Sequence, residues 1–187
     1  MKTIRTLALA VACAVAAMAS AHDFTATVAG QTICFKITNK ASLTAIVTYH
    51  GSIADKRAAA LRVYIEIPDQ VRHEGKVYKI NGISAKAFAG ATQLESIIMP
   101  STVQTIGHFA FEGCTNLKKV VFPGNPVKMG EGVFFKCRSL TNLSLGSEWT
   151  ELDLRQFCWS DSLTTVRVPA KVTQVIGFKS LRHLKTI

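Results

Sequence analysis

Phenylalanine returns at Phe88, Phe111, Phe134 and Phe157, each 23 residues after the last. A leucine keeps the same interval at Leu94, Leu117, Leu140 and Leu163, and both series close with a step of 21, at Phe178 and Leu184. Two columns in register over this length have one physical reading. Each unit is a single supersecondary piece with an apolar side it cannot bury alone, and neighbouring copies stack to bury it. About three copies are the minimum for stability, and the chain from about residue 80 onward meets that requirement.

The unit is most complete from Thr105 to Pro123. Its strand half sends Leu117, Val120 and Phe122 inward and stops at Pro123, which cannot donate to a ladder. The pattern recurs as Leu94, Ile97 and Met99 before Pro100, and as Leu163, Val166 and Val168 before Pro169. Leu140, Leu143 and Leu145 repeat it before Gly146. In the turn half, Ile106-Gly107 enters, Ala110-Phe111 drives the aromatic inward, and Gly113-Cys114 returns the chain. The expected repeat core is therefore Phe88, Leu94, Ile97, Phe111, Cys114, Leu117, Val120, Phe134, Cys137, Leu140, Leu143, Phe157, Leu163 and Val166. After Trp149 the pattern weakens: Leu152-Asp153-Leu154 replaces the Ile-Gly step and Gln156 replaces the alanine.

Residues 1–21 read as a secretory signal. Lys2 and Arg5 precede an alanine-rich apolar run, and Ala19-Ser20-Ala21 offers a small-x-small cleavage pattern with His22 as the new N-terminus. The run is too short for a membrane span. Cys13 follows Ala10-Val11-Ala12 without the usual leucine, which argues against a lipid anchor. Of the formal charge of +10, Lys2 and Arg5 carry two, leaving +8. A basic exported chain meets anionic glycans or acidic proteins, although solubility alone also accounts for the charge. No stretch interleaves basic and aromatic residues as a nucleic-acid groove would, so nucleic acid is not an expected partner.

Cys34, Cys114, Cys137 and Cys158 remain after the leader. Cys114 and Cys137 share one repeat position with Ala91 and Ser160, so the column selects small side chains and free buried thiols fit it. Stacked rungs also bring the two cysteines close enough for a disulfide, and that alternative stays open.

Residues 22–80 have another texture and are expected to form an N-terminal β-rich cap before repeats over 81–187. Thr25–Val28, Thr32–Ile37 and Leu43–Tyr49 read as short antiparallel strands, with turns at 29–31 and 38–40. Ile53–Arg62 reads as a loop or one helical turn, Val63–Ile67 as a strand stopped by Pro68, and Val71–Ile80 as a hairpin turning at Glu74-Gly75. A solenoid needs such a cap to cover its first rung.

The run I-G-x-x-A-F-x-x-C-x-x-L-x-x-I-x-[I/L]-P, seen most cleanly from Ile106 to Pro123 with Val120 and Phe122 at its last apolar positions, resembles the BspA-like leucine-rich repeats of bacterial surface proteins. Residues 65–71 and 74–80 are similar to that family's entry into its first repeat. The resemblance covers 63–187 and implies a mainly β, curved solenoid of the β/α type with a parallel sheet. It implies export or surface display and binding to proteins such as host matrix components. It carries over no catalytic residue and no cofactor.

Outward strand positions should form columns on the sheet: Glu95, Lys118, Thr141, Thr164 and Lys185; Ser96, Lys119, Asn142, Thr165 and Thr186; and Ile98, Val121, Ser144 and Arg167. The candidate protein-binding face takes from these Glu95, Ser96, Lys118, Lys119, Val121, Thr141, Asn142, Ser144, Thr164, Thr165 and Arg167. An ordinary solvated sheet would look similar. Trp159 stands where the previous copy has Lys136; it is expected to fold back over the weakened fourth repeat, with exposure as a partner anchor the alternative. Trp149 is open to the same two readings. His22, His50, His73, His108 and His183 are scattered without HExxH spacing, no G-x-S-x-G elbow occurs, and His108 reads as a surface residue. The chain is thus expected to be a non-enzymatic binder of proteins, with anionic glycan a weaker candidate, secreted, surface-held or retained in the periplasm. An alternative is an envelope scaffold that self-associates through an open edge at Ile187.

Overall fold

The structure, a computed structural model, describes residues 22–28, 30–48, 63–124 and 128–186. The leader with Cys13, the segment 49–62 and Ile187 lie outside the described residues.

The first three strands, β1 (Phe24–Val28), β2 (Gln31–Asn39) and β3 (Thr44–Thr48), pair antiparallel in sequence. Alternate residues Ile33 and Phe35, with Ala45 and Val47, turn to one buried face, the period-2 pattern of a half-buried sheet. Next come β4 (Tyr64–Glu66), β5 (Gln70–His73) and β6 (Lys76–Ile83), with β5 and β6 forming a hairpin. Strand β6 is the junction. It pairs antiparallel with β5 along 76–79, and at Gly82 and Ile83 it pairs parallel with β3 on one edge and with the strand at Thr105 and Ile106 on the other.

The repeats contribute two strands each. One series is β7 (Ser96–Ile98), β9 (Lys119–Phe122) and β11 (Asn142–Leu145); the other is β8 (Thr105–Ile106) and β10 (Lys128–Met129). The first series forms a parallel sheet ordered β11-β9-β7-β4, so β4 is its first rung. The second continues from β6 in the order β6-β8-β10. The return half of each unit is built of turns, and among the described residues the helical pieces in this part are 3₁₀ turns at Leu154–Phe157 and Phe178–Ser180. The last strands, β12 (Glu151–Asp153) and β13 (Gln174–Ile176), pair with each other.

One hydrophobic core runs from Phe24 to Leu181. Its spine is an aromatic stack: Phe88 on Phe111 at 5.0 Å, Phe111 on Phe134 at 5.1 Å and Phe134 on Phe157 at 5.2 Å, all within 8° of parallel. Strands in one sheet lie about 4.8 Å apart, so a side chain repeated once per rung is forced onto its own copy. Each such pair contributes about 1 kcal/mol beyond its burial. Phe178, the fifth member in sequence, departs from this stack and is 51% exposed. Strand β13 keeps the 23-residue register with β12 as far as Ile176 opposite Asp153, so the two missing residues fall between Ile176 and Phe178. The shortening pulls the aromatic off the column.

Beside the aromatics runs a second ladder. Cys114 Sγ donates to the carbonyl of Phe88 at 3.1 Å, Cys137 Sγ to that of Phe111 at 3.2 Å, and Ser160 Oγ to that of Phe134 at 3.2 Å. Three of the four members thus add a donor to small size, and Ala91 at the first rung satisfies size alone. The cysteines of the described residues are free. The bond with Cys114, then burial, pushes the Cys137 thiol up, and burial pushes Cys34 up to about 11. Such thiols are inert at neutral pH.

Candidate functional site

The sheet β4-β7-β9-β11 fixes its outward columns by register. Tyr64 faces Ser96, Ser96 faces Lys119, and Lys119 faces Asn142. Glu66, Ile98, Val121 and Ser144 form the adjacent column. Glu95, Lys118 and Thr141 are stacked just before the strands, where Lys118 N donates to Glu95 O at 2.8 Å and Thr141 N to Lys118 O at 3.1 Å. All these side chains are exposed or half-buried. The face spans about 14 Å from first strand to last, at about 4.8 Å per step.

Its electrostatics are quieter than its lysine count suggests. Lys118 Nζ lies 2.8 Å from Glu95 Oε2, which neutralises that column. Lys119 then projects as a cation at the middle of the sheet, between Ser96 and Asn142. At the first rung, Tyr64 OH donates to Glu66 Oε2 at 3.0 Å. Burial first, then that bond and the carboxylate charge, hold the phenol above its ordinary value. Val63 and Tyr64 are 52% and 44% exposed, giving this end of the face an apolar lip.

The remaining candidates stand apart. Thr164, Thr165 and Arg167 are surface residues, but among the described residues no strand pairing joins them to β11. Their segment pairs instead with the last rung, through a bridge between Thr165 and Thr186 and a bond from Lys185 N to Thr164 O at 2.8 Å. Strand β12 likewise has no pairing with β10. A seam therefore crosses both strand sides of the solenoid before the fourth repeat.

Its origin lies in three substitutions. A Cβ on Gly107 would sit 2.3 Å from the Ala85 nitrogen, and one on Gly130 2.4 Å from the His108 nitrogen. The next copy places Asp153 at that position, so the backbones cannot close. Leu154 and Gln156 are also buried there, the latter in the column of Ala87, Ala110 and Val133. The turn side stays joined. Phe134 N donates to Gln156 O at 2.9 Å, Lys136 N to Cys158 O at 3.1 Å, and Val133 N to the side-chain Oε1 of Gln156 at 3.2 Å. Asp153 instead accepts from Arg155 N at 3.0 Å and pairs with its guanidinium at 2.8 Å. Burial opposes ionisation of Asp153, but the hydrogen bonds and charge of Arg155 outweigh it and lower the carboxyl below its usual range.

The two tryptophans differ. Trp149 is buried edge-on against Phe122 at 5.4 Å, with Nε1 donating to Gly124 O at 2.9 Å. Trp159 does not fold back over the fourth repeat; its left-handed backbone, φ 62°, turns the side chain outward and leaves it 53% exposed. His108 is exposed and its Nδ1 accepts from Glu131 N at 3.0 Å, which assigns the neutral ring's proton to Nε2. All fourteen repeat-core residues named from the sequence are buried. Tyr64 and Glu66 were missed as members of the face. Their signal was present, since Ile65, Ile67 and Pro68 match Ile97, Met99 and Pro100.

Among the described residues no group of three metal-ligating side chains converges, and no helix is long and apolar enough to cross a membrane. Residues 80–187 match the model of the BspA type leucine rich repeat region, in six copies. The chain belongs to that family. Leucine-rich-repeat regions are in general binding rather than catalytic modules. A crystal structure of a leucine-rich repeat protein from T. pallidum is similar at 22% identity and TM-score 0.59, over 76% of this chain and 61% of that one. This chain thus spans about three-fifths of that protein, by the same coverage. A leucine-rich repeat protein from Bacteroides capillosus is similar at 22% identity and TM-score 0.50, over 82% of this chain and 91% of that one. Likeness at this identity concerns the fold alone. No curated protein matches the chain.

Proposed function

We propose that this BspA-type leucine-rich-repeat protein is an exported, non-enzymatic binding module whose sheet face engages proteins of a host matrix or cell surface. The observation that carries the reading is the in-register pair of columns, Tyr64-Ser96-Lys119-Asn142 and Glu66-Ile98-Val121-Ser144. They offer small polar groups, one central cation and an apolar lip on a rigid parallel sheet. Such a surface suits an extended partner that lies across the rungs, as solenoids commonly use it. Export rests on the leader pattern of residues 1–21. The antiparallel strands β1 to β3 act in this account as the cap that shields the first rungs.

The test is binding of the protein to immobilised fibronectin, fibrinogen and heparin at two salt concentrations. Saturable binding to a matrix protein that survives higher salt and weakens in Lys119→Ala and Tyr64→Ala supports the reading. Binding to heparin alone, vanishing with salt, reduces the face to non-specific charge attraction. No binding at all favours an envelope scaffold instead.

A further inference from the structure

Four successive repeats place a left-handed residue at the same turn position: Gly90, Gly113, Lys136 and Trp159, with φ of 74°, 69°, 60° and 62°. Backbone bonds keep the column in register, from Gly90 N to Glu112 O, Gly113 N to Phe135 O and Lys136 N to Cys158 O. Only glycine adopts this conformation without strain. At Gly90 and Gly113 an added Cβ would meet nothing within 4 Å, so space does not select glycine there; the backbone conformation does. Lys136 and Trp159 accept that strain while contributing almost nothing to the core: Lys136 is exposed and Trp159 is 53% exposed. Lys86 and Phe109 hold the same conformation at another turn, so it is ordinary for these repeats. What singles out Trp159 is a large apolar ring left exposed where two copies use glycine, and that points to a function for the side chain.

The surroundings indicate what that function serves. The Arg182 guanidinium lies 5.8 Å from the Trp159 ring centroid, and Lys136 Nζ lies 4.9 Å from that of Phe135. Exposed Arg138 adds a third cation two residues after Lys136, opposed by Asp161 in the equivalent place one repeat later. This is an exposed flat ring among cations, on a turn rather than on the strand face. Protein hot spots sit in packed, desolvated pockets, which this turn does not provide. A pyranose ring needs only a flat π-face for its C–H side, and cations form charge-assisted bonds with its carboxylate or sulfate.

We propose that Lys136, Trp159 and Arg182 form a second binding site, for an acidic oligosaccharide that stacks on the indole while its anionic groups meet the two cations. The site is independent of the sheet-face reading.

The probe is a heparin hexasaccharide, titrated near about 0.15 M salt, where only nearby charges act. Trp149 is buried, so a blue shift and protection from acrylamide quenching on binding would come from Trp159. Trp159→Gly restores the residue that two other copies use, so it should fold and melt no lower than the parent. By calorimetry it should bind the hexasaccharide about tenfold or more weakly, as should Arg182→Gln to a lesser degree. Lys40→Ala in the turn between β2 and β3, which also removes one exposed cation, should bind it unchanged, which separates this site from overall charge. Undiminished binding by Trp159→Gly overturns the proposal. So does polyglutamate binding that equals heparin and depends equally on Trp159, because the ligand class would then be an acidic protein.

Discussion

The rungs before Leu145 and those after Trp149 share one period but are joined differently. Across the earlier boundary, β9 pairs with β11 and β8 with β10, while Phe111 stacks on Phe134 and Cys137 bonds to Phe111. Across the later boundary both strand pairings are missing among the described residues, yet Phe134 still stacks on Phe157 and Ser160 still bonds to Phe134. Stacking, the small-donor ladder and the turn-side backbone bonds therefore carry the solenoid across a boundary where its sheets are interrupted. Closure on the β8–β10 side relies on the close approach at Gly107 and Gly130, whereas the aromatic spine depends on a side chain that Asp153 does not disturb.

That contrast can be broken most severely at Phe134, which stacks on both sides and meets Phe122 edge-on at 6.0 Å. Phe134→Ala should lose about 3–5 kcal/mol in chemical denaturation, within the range for buried aromatics. Phe88→Ala, with one stacked ring neighbour, should cost less. Equal losses would mean that the spine does not bridge the seam. Next in size, Gln156→Leu removes the acceptor of the Val133 amide and should cost about 1–3 kcal/mol. Faster exchange of the Val133 amide by NMR should accompany it, and an unchanged rate would remove Gln156 from the account.

Two smaller effects sharpen the comparison. The Asp153 carboxyl is lowered from its ordinary value of 3.8, so its contribution is present above that value and lost as pH falls through the folded one. Asp153 is part-exposed and its partner Arg155 exposed, and screening limits the effect to about 0.5 kcal/mol. Thermal melts of the parent and Asp153→Asn should converge below about pH 4, and parallel curves would contradict the assignment. Lys136→Gly relieves a left-handed residue at the cost of unfolded-chain entropy, and should raise stability by about 0.5 kcal/mol. A drop in melting temperature would show that Lys136 supports the turn-side join.

The repeat core was legible in the sequence because side-chain period and rung spacing are one physical fact. Phe88 through Phe157 could be placed from their interval alone. The sheet columns followed from alternation, except that β4 was read as part of the cap although Ile65 and Ile67 carry the repeat's signature. The seam was less legible. Asp153 and Gln156 stood out as departures, but their effect depends on backbones so close at Gly130 that a Cβ there would sit 2.4 Å from the His108 nitrogen, which no residue pattern states. Phe178 misled for a related reason: the count showed two missing residues without showing that they fall between β13 and the aromatic. Trp159 escaped because its orientation is set by φ, visible in sequence only as a tryptophan in a column that holds glycine in two earlier copies.

The most direct test of this division is hydrogen–deuterium exchange of the protein alone, followed in the strand segments 96–98, 119–122, 142–145, 151–153 and 165–167. The account predicts slow exchange in the first three and distinctly faster exchange in the last two, which lie beyond the seam. Equal protection across all five would mean that the sheets continue into the fourth repeat and that the binding face extends to Arg167.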